Sequence, residues 1–239
     1  MSGHSKWSKV KHQKAVTDSV KGNAFTKAAR TITLAVRESG GVTDPIHNFH
    51  LRLAIEKAHD VNMPKENIER AIERGKGIDT SRLEQIQYEA YGPGGVALVV
   101  ETATDNRQRT VSTIKNLLDR VGGTIASPGA VMYMFRRIGI ITVPKGMQTL
   151  DEVMSDAIEG GAKDIKETDD MYEIYTDVVQ LLRMKDFLKQ KGITIDNVSI
   201  IMKPTTVIQI PDNQRKIIET LTEQLDSLDD VHAVYTNVE

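Results

Sequence analysis

Near residue 80 this chain stops reading as helices alone and starts to mix in strands, and that change limits what it can fold into. Residues 1–22 show no apolar periodicity, and from Asn23 to about residue 76 the apolar positions recur with the 3.6-residue period of an amphipathic helix. After Thr80 stretches that alternate with a period of two, as on a half-buried strand, are interleaved with further helical stripes. Phe25, Ala28, Ala29, Ile32 and Val36 lie on one stripe and predict a helix over 23–37, ended by Gly40-Gly41. Asp44-Pro45 reads as an N-cap with proline at the first helical position, opening a second helix with Ile46, Phe49, Leu53, Ala54 and Ala58 inward. Met63-Pro64 opens a third, with Ile68, Ala71 and Ile72 inward, and Gly75 and Gly77 stop it. Three short helices in about 54 residues are marginal for an independent core, so the bundle is expected to lean on the rest of the chain.

Beyond residue 80, Ile86, Tyr88 and Ala90 mark a half-buried strand, and Tyr91-Gly92-Pro93-Gly94-Gly95 marks a turn. Val96 to Thr104 is a strand whose first five residues are all apolar, as expected of a central strand covered on both faces. Asp105-Asn106 caps a helix with Val111, Ile114, Leu117, Leu118 and Val121 inward, and Thr124-Ile125-Ala126 leads into a short strand. At the far end, Thr205–Ile210 reads as a strand, Pro211-Asp212 opens a helix, and Val231–Val238 is a strand. Two such β-α-β units make a split, ferredoxin-like sheet. Between them, Val131–Phe135 and Gly139–Val143 read as a hairpin. A helix over 150–159, strands over 162–168 and 171–176, a helix over 178–190 and a strand over 193–202 follow. The expected fold class is therefore α+β. A basic arm and three-helix domain span 1–78. A discontinuous α+β domain spans 79–130 plus 204–239, and a second ferredoxin-like domain, 131–203, is inserted in it.

Charge is distributed unevenly. Residues 1–30 carry seven basic groups and one acid, Asp18, a balance of +6. Residues 31–76 balance, and 77–239 carry −8, so the overall −2 hides a cationic arm on an acidic body. Lys6-Trp7-Ser8-Lys9-Val10-Lys11-His12-Gln13-Lys14 puts four lysines, an indole and an imidazole within nine residues. Lysines hold phosphates without reading sequence, and a Trp can stack on an unpaired base. Trp7 could equally anchor the arm on the body. Lys21, Lys27 and Arg30 continue the cationic series into the first helix. If all seven basic groups met phosphates, the binding constant would fall with salt with a logarithmic slope of about −5 to −6. The candidate nucleic-acid-binding residues are therefore Lys6, Trp7, Lys9, Lys11, His12, Lys14, Lys21, Lys27 and Arg30.

Other chemistries find little support. The longest wholly apolar run is six residues, Ala130–Phe135, against roughly 20 for a membrane-spanning helix. The first residues lack the apolar stretch of a secretory signal, so a cytoplasmic location is expected. Cysteine is absent, which excludes disulfides, thiol nucleophiles and Cys-ligated metal sites. Gly92-Pro93-Gly94-Gly95 lacks the Gly-Lys-Ser/Thr ending of a phosphate loop and precedes a strand, so it reads as a tight turn. His47 and His50 are spaced i, i+3 but find no third ligand of suitable spacing. Glu101 and Asp105 would lie about 13 Å apart along a strand, too far to act as a carboxylate pair. No catalytic residue, metal or cofactor is expected, nor a membrane or a small-molecule substrate as partner.

Three blocks are specific enough to compare with a known family. They are Gly3-His4-Ser5-Lys6-Trp7 with Lys11-His12, Asn62 to Ile72, and Tyr88 to Ala97 continuing through Thr104-Asp105-Asn106-Arg107 and Arg109-Thr110 to Gly122-Gly123. With Tyr172 to Thr176 and Leu228-Asp229-Asp230-Val231, they make the chain resemble the YebC/PmpR family essentially end to end. It departs from the family pattern at 124–132 and at His47 to His50, away from the arm. The resemblance implies a helical domain followed by two α+β domains, and a cytoplasmic protein without known enzymatic activity. Members are described as DNA-binding transcriptional regulators. Others are translation factors, including a mitochondrial translational activator and bacterial proteins that relieve ribosome stalling on proline-rich stretches. The expected partner is nucleic acid: DNA, or alternatively ribosomal RNA on the ribosome.

Overall fold

A computed structural model describes residues 18–77, 83–146 and 148–239, with side chains of the first helix described from Ala24 onward. Three helices come first: α1 (Asp18–Glu38), α2 (Phe49–Asp60) and α3 (Lys65–Lys76). Ile32, Ala35, Val36, Leu51, Ala54, Ala58, Met63, Ile68 and Ala71 form their shared apolar cluster. α1 and α3 approach closely at Gly75: a Cβ there would lie 2.5 Å from Val36 Cβ and 2.9 Å from the Thr33 carbonyl. Gly75 therefore sits inside α3 as a contact residue, and Gly77 ends the helix.

The second helix starts four residues later than the Asp44-Pro45 signal suggested. Asp44 instead closes a tight turn, accepting from Ile46 N at 2.9 Å and His47 Nδ1 at 2.9 Å. Ile46, expected in the core, is 76% exposed. The N-cap is Asn48, whose Oδ1 accepts from Leu51 N at 3.0 Å while Nδ2 reaches Ala35 O, Ser39 Oγ and Val42 O at 2.8–2.9 Å. One buried amide thus joins the end of α1, the connecting loop and the start of α2. It wins because it satisfies several otherwise buried groups at once.

The chain separates into two compact units, one running to Met134 and resuming at Thr206–Glu239, the other Phe135–Thr205. In the first unit β1 (Glu84–Tyr91), β2 (Ala97–Thr104), β3 (Thr124–Ile125) and β8 (Val231–Thr236) form an antiparallel sheet of order β3-β1-β2-β8. Two helices, α4 (Arg107–Asp119) and α7 (Asp212–Asp226), supply Ile114, Leu118, Ile218, Leu221 and Leu225 to its core beside Leu98, Val100 and Val231. The β2-α4-β3 crossover straddles β1, a split β-α-β. Gly94, at φ 75°, makes the tight turn into β2.

Two expectations in this unit are corrected. Residues 205–210 form no strand; a single parallel bridge pairs Ile208 with Val238. Pro204 and Pro211 flank the segment and cannot donate to a ladder. Residues 131–135 are not the first strand of a hairpin either. The buried Glu89 carboxylate accepts from Gly129 N, Val131 N and Met132 N at 2.5, 2.7 and 2.8 Å, and Tyr91 OH donates to Ala130 O at 3.0 Å. These bonds commit the backbone of 129–132 to a carboxylate, so it cannot pair as a strand.

The second unit runs β4 (Phe135–Pro144), α5 (Leu150–Glu159), β5 (Asp164–Glu167), β6 (Met171–Thr176), α6 (Leu181–Gln190), β7 (Asn197–Pro204). Its sheet order, β5-β6-β4-β7, is ferredoxin-like, with β6 buried along its whole length. Gly139 on β4 lets α6 settle: a Cβ there would lie 2.8 Å from Leu181 Cδ1. The architecture is α+β, with a ferredoxin-like unit inserted into a sheet that the first and last strands build together.

Candidate nucleic-acid interface

Lys6, Trp7, Lys9, Lys11, His12 and Lys14 lie outside the described residues, and Lys21 lies on α1 with its side chain outside them. Lys27 and Arg30 are described in full. Three apart on a helix, they share one face of α1. That face meets the end of α7 and the turn into β8.

Lys27 Nζ donates to the carbonyl of Asp226, the last residue of α7, and lies 3.6 Å from Asp226 Oδ1. Arg30 Nη1 donates to Asp229 O at 2.6 Å and to Asp230 Oδ1 at 2.7 Å. A helix C-terminus carries a partial negative charge and unpaired carbonyls, so cations are favoured there. Lys27 and Arg30 are thus engaged by the acidic body, whereas the sequence suggested a surface continuous with the arm.

Asp230 is the centre of the arrangement. At 8% exposure it accepts from Arg109 Nη2 at 3.0 and 3.2 Å, from Thr110 Oγ1 at 2.7 Å and from Thr104 Oγ1 at 3.3 Å, besides Arg30. Burial alone would push its carboxyl up. The hydrogen bonds from Thr110 and Arg109 and the charges of Arg30 and Arg109 outweigh that and hold it below the usual carboxylate range. Arg109 also donates to Asp105 at 2.7 Å. The two carboxylates keep its guanidinium firmly charged. α4 positions Arg109 and Thr110 because Asn106 caps it, accepting from Arg109 N at 3.0 Å.

His232 lies two residues beyond Asp230. Thr31 donates its hydroxyl to Lys27 O at 2.9 Å, which leaves Thr31 Oγ1 to accept from His232 Nδ1 at 3.4 Å. His232 Nε2 is buried with no hydrogen-bond partner among the described residues. Burial first, then the charges of Lys27, Lys57 and Arg30, push the imidazole down to about 4. It is neutral at physiological pH.

Sequence reasoning missed Asp230, Arg109, Thr104, Thr110 and His232 as a connected set. Arg109 and Asp230 stand 121 positions apart, and Arg30 and Asp230 stand 200 apart. The signal was present only as two conspicuous blocks, Thr104–Thr110 and Leu228–Val231, with nothing to say that they meet. The other motifs resolve locally. His47 pairs with Asp44, and His50 stacks edge-on to Phe49 at 5.2 Å between ring centres. Among the described residues, no group of three His, Cys, Asp or Glu converges as a metal set, and no helix is long and apolar enough to cross a membrane. The outer face of α3 alternates sign through Glu66, Glu69, Arg70, Glu73 and Arg74.

Comparison with known proteins gives consistent matches. Residues 5–78 match the family model described as the TACO1/YebC protein N-terminal domain, and residues 83–238 match that of the TACO1/YebC second and third domain. A probable transcriptional regulatory protein of Sulfurihydrogenibium is 45% identical, covering 99% of this chain and 95% of that protein. Another from Roseiflexus castenholzii is 46% identical, covering 100% and 95%. The crystal structure of a conserved hypothetical protein from Aquifex aeolicus matches with a TM-score of 0.88 at 38% identity, over 98% of this chain and 96% of that one.

Proposed function

This chain belongs to the TACO1/YebC family, and we propose that it is a non-enzymatic, cytoplasmic regulator of gene expression that binds DNA through its basic arm. The names of its relatives, probable transcriptional regulatory proteins, support a regulatory role. The observation that carries the nucleic-acid part is the charge layout: +6 in the first thirty residues ahead of an acidic body. A polyanion is attracted to the arm and repelled by most of the rest, so contact is local. Lys6, Lys9, Lys11, Lys14 and Lys21 hold phosphates, and Trp7 and His12 supply planar groups for stacking.

The test is a gel shift on duplex DNA comparing the unsubstituted chain with the variant K9E/K11E/K14E. The variant is expected to bind at least tenfold more weakly, with a salt slope smaller by about 2–3. Unchanged affinity would remove the arm from the mechanism. A second reading is attachment to ribosomal RNA as a translation factor that relieves stalling on proline-rich sequences, and it needs no groove-reading helix, a role that α3 is ill suited to. Its outer face mixes Glu66, Glu69 and Glu73 with Arg70 and Arg74 and would meet phosphate repulsion in a major groove. Crosslinking in cells separates the two readings by whether genomic DNA or ribosomal RNA is recovered.

A further inference from the structure

Two parts of the first unit keep separate apolar clusters. The cluster of Ile32, Leu51 and Ile68 in the helices shares no residue with that of Leu98, Leu118 and Leu221 in the sheet layer. Charged and polar contacts link them at α1: Lys27 and Arg30 on the Asp226–Asp230 turn, Thr31 against His232, and Arg37 Nη1 donating to Leu83 O at 2.8 Å. Apolar contact is tolerant of sliding. Charged hydrogen bonds of 2.6–2.7 Å fix both place and direction.

From this arrangement we infer that Asp230 is a positioning residue for nucleic-acid binding: it seats Arg30, and with it α1, the helix that follows the basic arm in sequence. Its carboxylate is well suited to that task. Arg109, Thr110 and Thr104 hold it from within the sheet layer, so it meets Arg30 already aimed. Removal of Arg30 leaves Asp230 with these partners. Removal of the Asp230 charge leaves Arg109 with Asp105 but deprives Arg30 of the carboxylate that stands 2.7 Å from it. Lys27 acts alongside through Asp226. Arg30 and Lys27 therefore contribute to affinity without touching phosphate. Holding α1 in place cuts the conformational freedom lost when nucleic acid binds.

This inference rests on the arm being the nucleic-acid contact, and its test separates the two ideas. Binding of a fluorescent duplex DNA and a fluorescent single-stranded RNA is measured against salt for the unsubstituted chain, R30Q, K27Q, R30K and D230N. Removing a group that touches phosphate lowers the salt slope by about 0.7–0.9. Removing a positioning residue leaves the slope unchanged. R30Q and D230N are expected to bind about three- to tenfold more weakly at an unaltered slope, and R30K to recover most of the affinity. Backbone hydrogen exchange without nucleic acid is the second readout. In D230N the amides of α1 are expected to exchange faster, while those of α5 and α6 do not. A slope that falls by about one in R30Q or K27Q would make them phosphate contacts and overturn the inference. So would α1 exchange unchanged in D230N. If the unsubstituted chain binds neither probe, the proposed function fails and the role in binding fails with it, while the exchange experiment still decides whether Asp230 holds α1.

Discussion

Single side chains do much of the joining in this protein, and two of them make sharp predictions. Asn48 caps α2 and also satisfies groups on α1 and the loop between, at 3% exposure. Replacing it by Ala removes a cap and orphans buried acceptors, an expected loss of about 2–4 kcal/mol read from denaturation of the helical signal. Asp230 and His232 predict acid sensitivity. The Asp230 carboxyl is held below its ordinary value, so its contribution is present above about pH 4 and is lost as pH falls through the lowered value. His232 has a folded value of about 4 against an ordinary 6.5. Between these the unfolded chain takes up a proton that the folded chain refuses, so stability falls as pH drops from 6.5 towards 4. Thermal melts are expected to shift downwards over that window, and H232N to flatten the shift. Neither residue was legible as a site. A lone His and a common Asp in a turn carry no local signal; their meaning comes from residues 120 to 201 positions away.

At the scale of elements, periodicity was informative about type and less so about ends. All three helices of the bundle were readable from their stripes. The start of α2 was not, because Asp44 and Asn48 are both good caps and tertiary bonds chose between them. The strand expected over 131–135 and the one over 205–210 failed for different reasons: a buried carboxylate occupies one backbone, and two prolines border the other. Two substitutions test these points. G75A gains helix propensity but puts a Cβ 2.5 Å from Val36 Cβ, so the bundle is expected to lose about 1–3 kcal/mol rather than gain. Glu89 is likewise held below its ordinary value. Burial pushes it up, and the three backbone N–H groups of Gly129, Val131 and Met132 more than reverse this. E89Q is expected to cost about 1.5–3 kcal/mol and to make 129–132 more sensitive to limited proteolysis.

On the scale of the whole molecule, the insertion was legible and the joining of helices to sheet was not. Repeated strand–helix–strand patterns announce themselves, whereas ion pairs across 200 positions do not. Residues 135–205 have their own sheet, their own two helices and contiguous sequence. Excised, they are expected to give a cooperative thermal transition by circular dichroism. The placement of β8 beside β2 has a temporal consequence during synthesis. β2 emerges from the ribosome about 130 residues ahead of the strand that covers its open side. The inserted unit, whose strands all lie between, can fold in that interval, while the host sheet waits with one edge bare. Asp230 arrives in the same late stretch. A nascent polypeptide thus carries its cationic leader from the first moments of translation but gains the means to aim it only when the last strand is delivered.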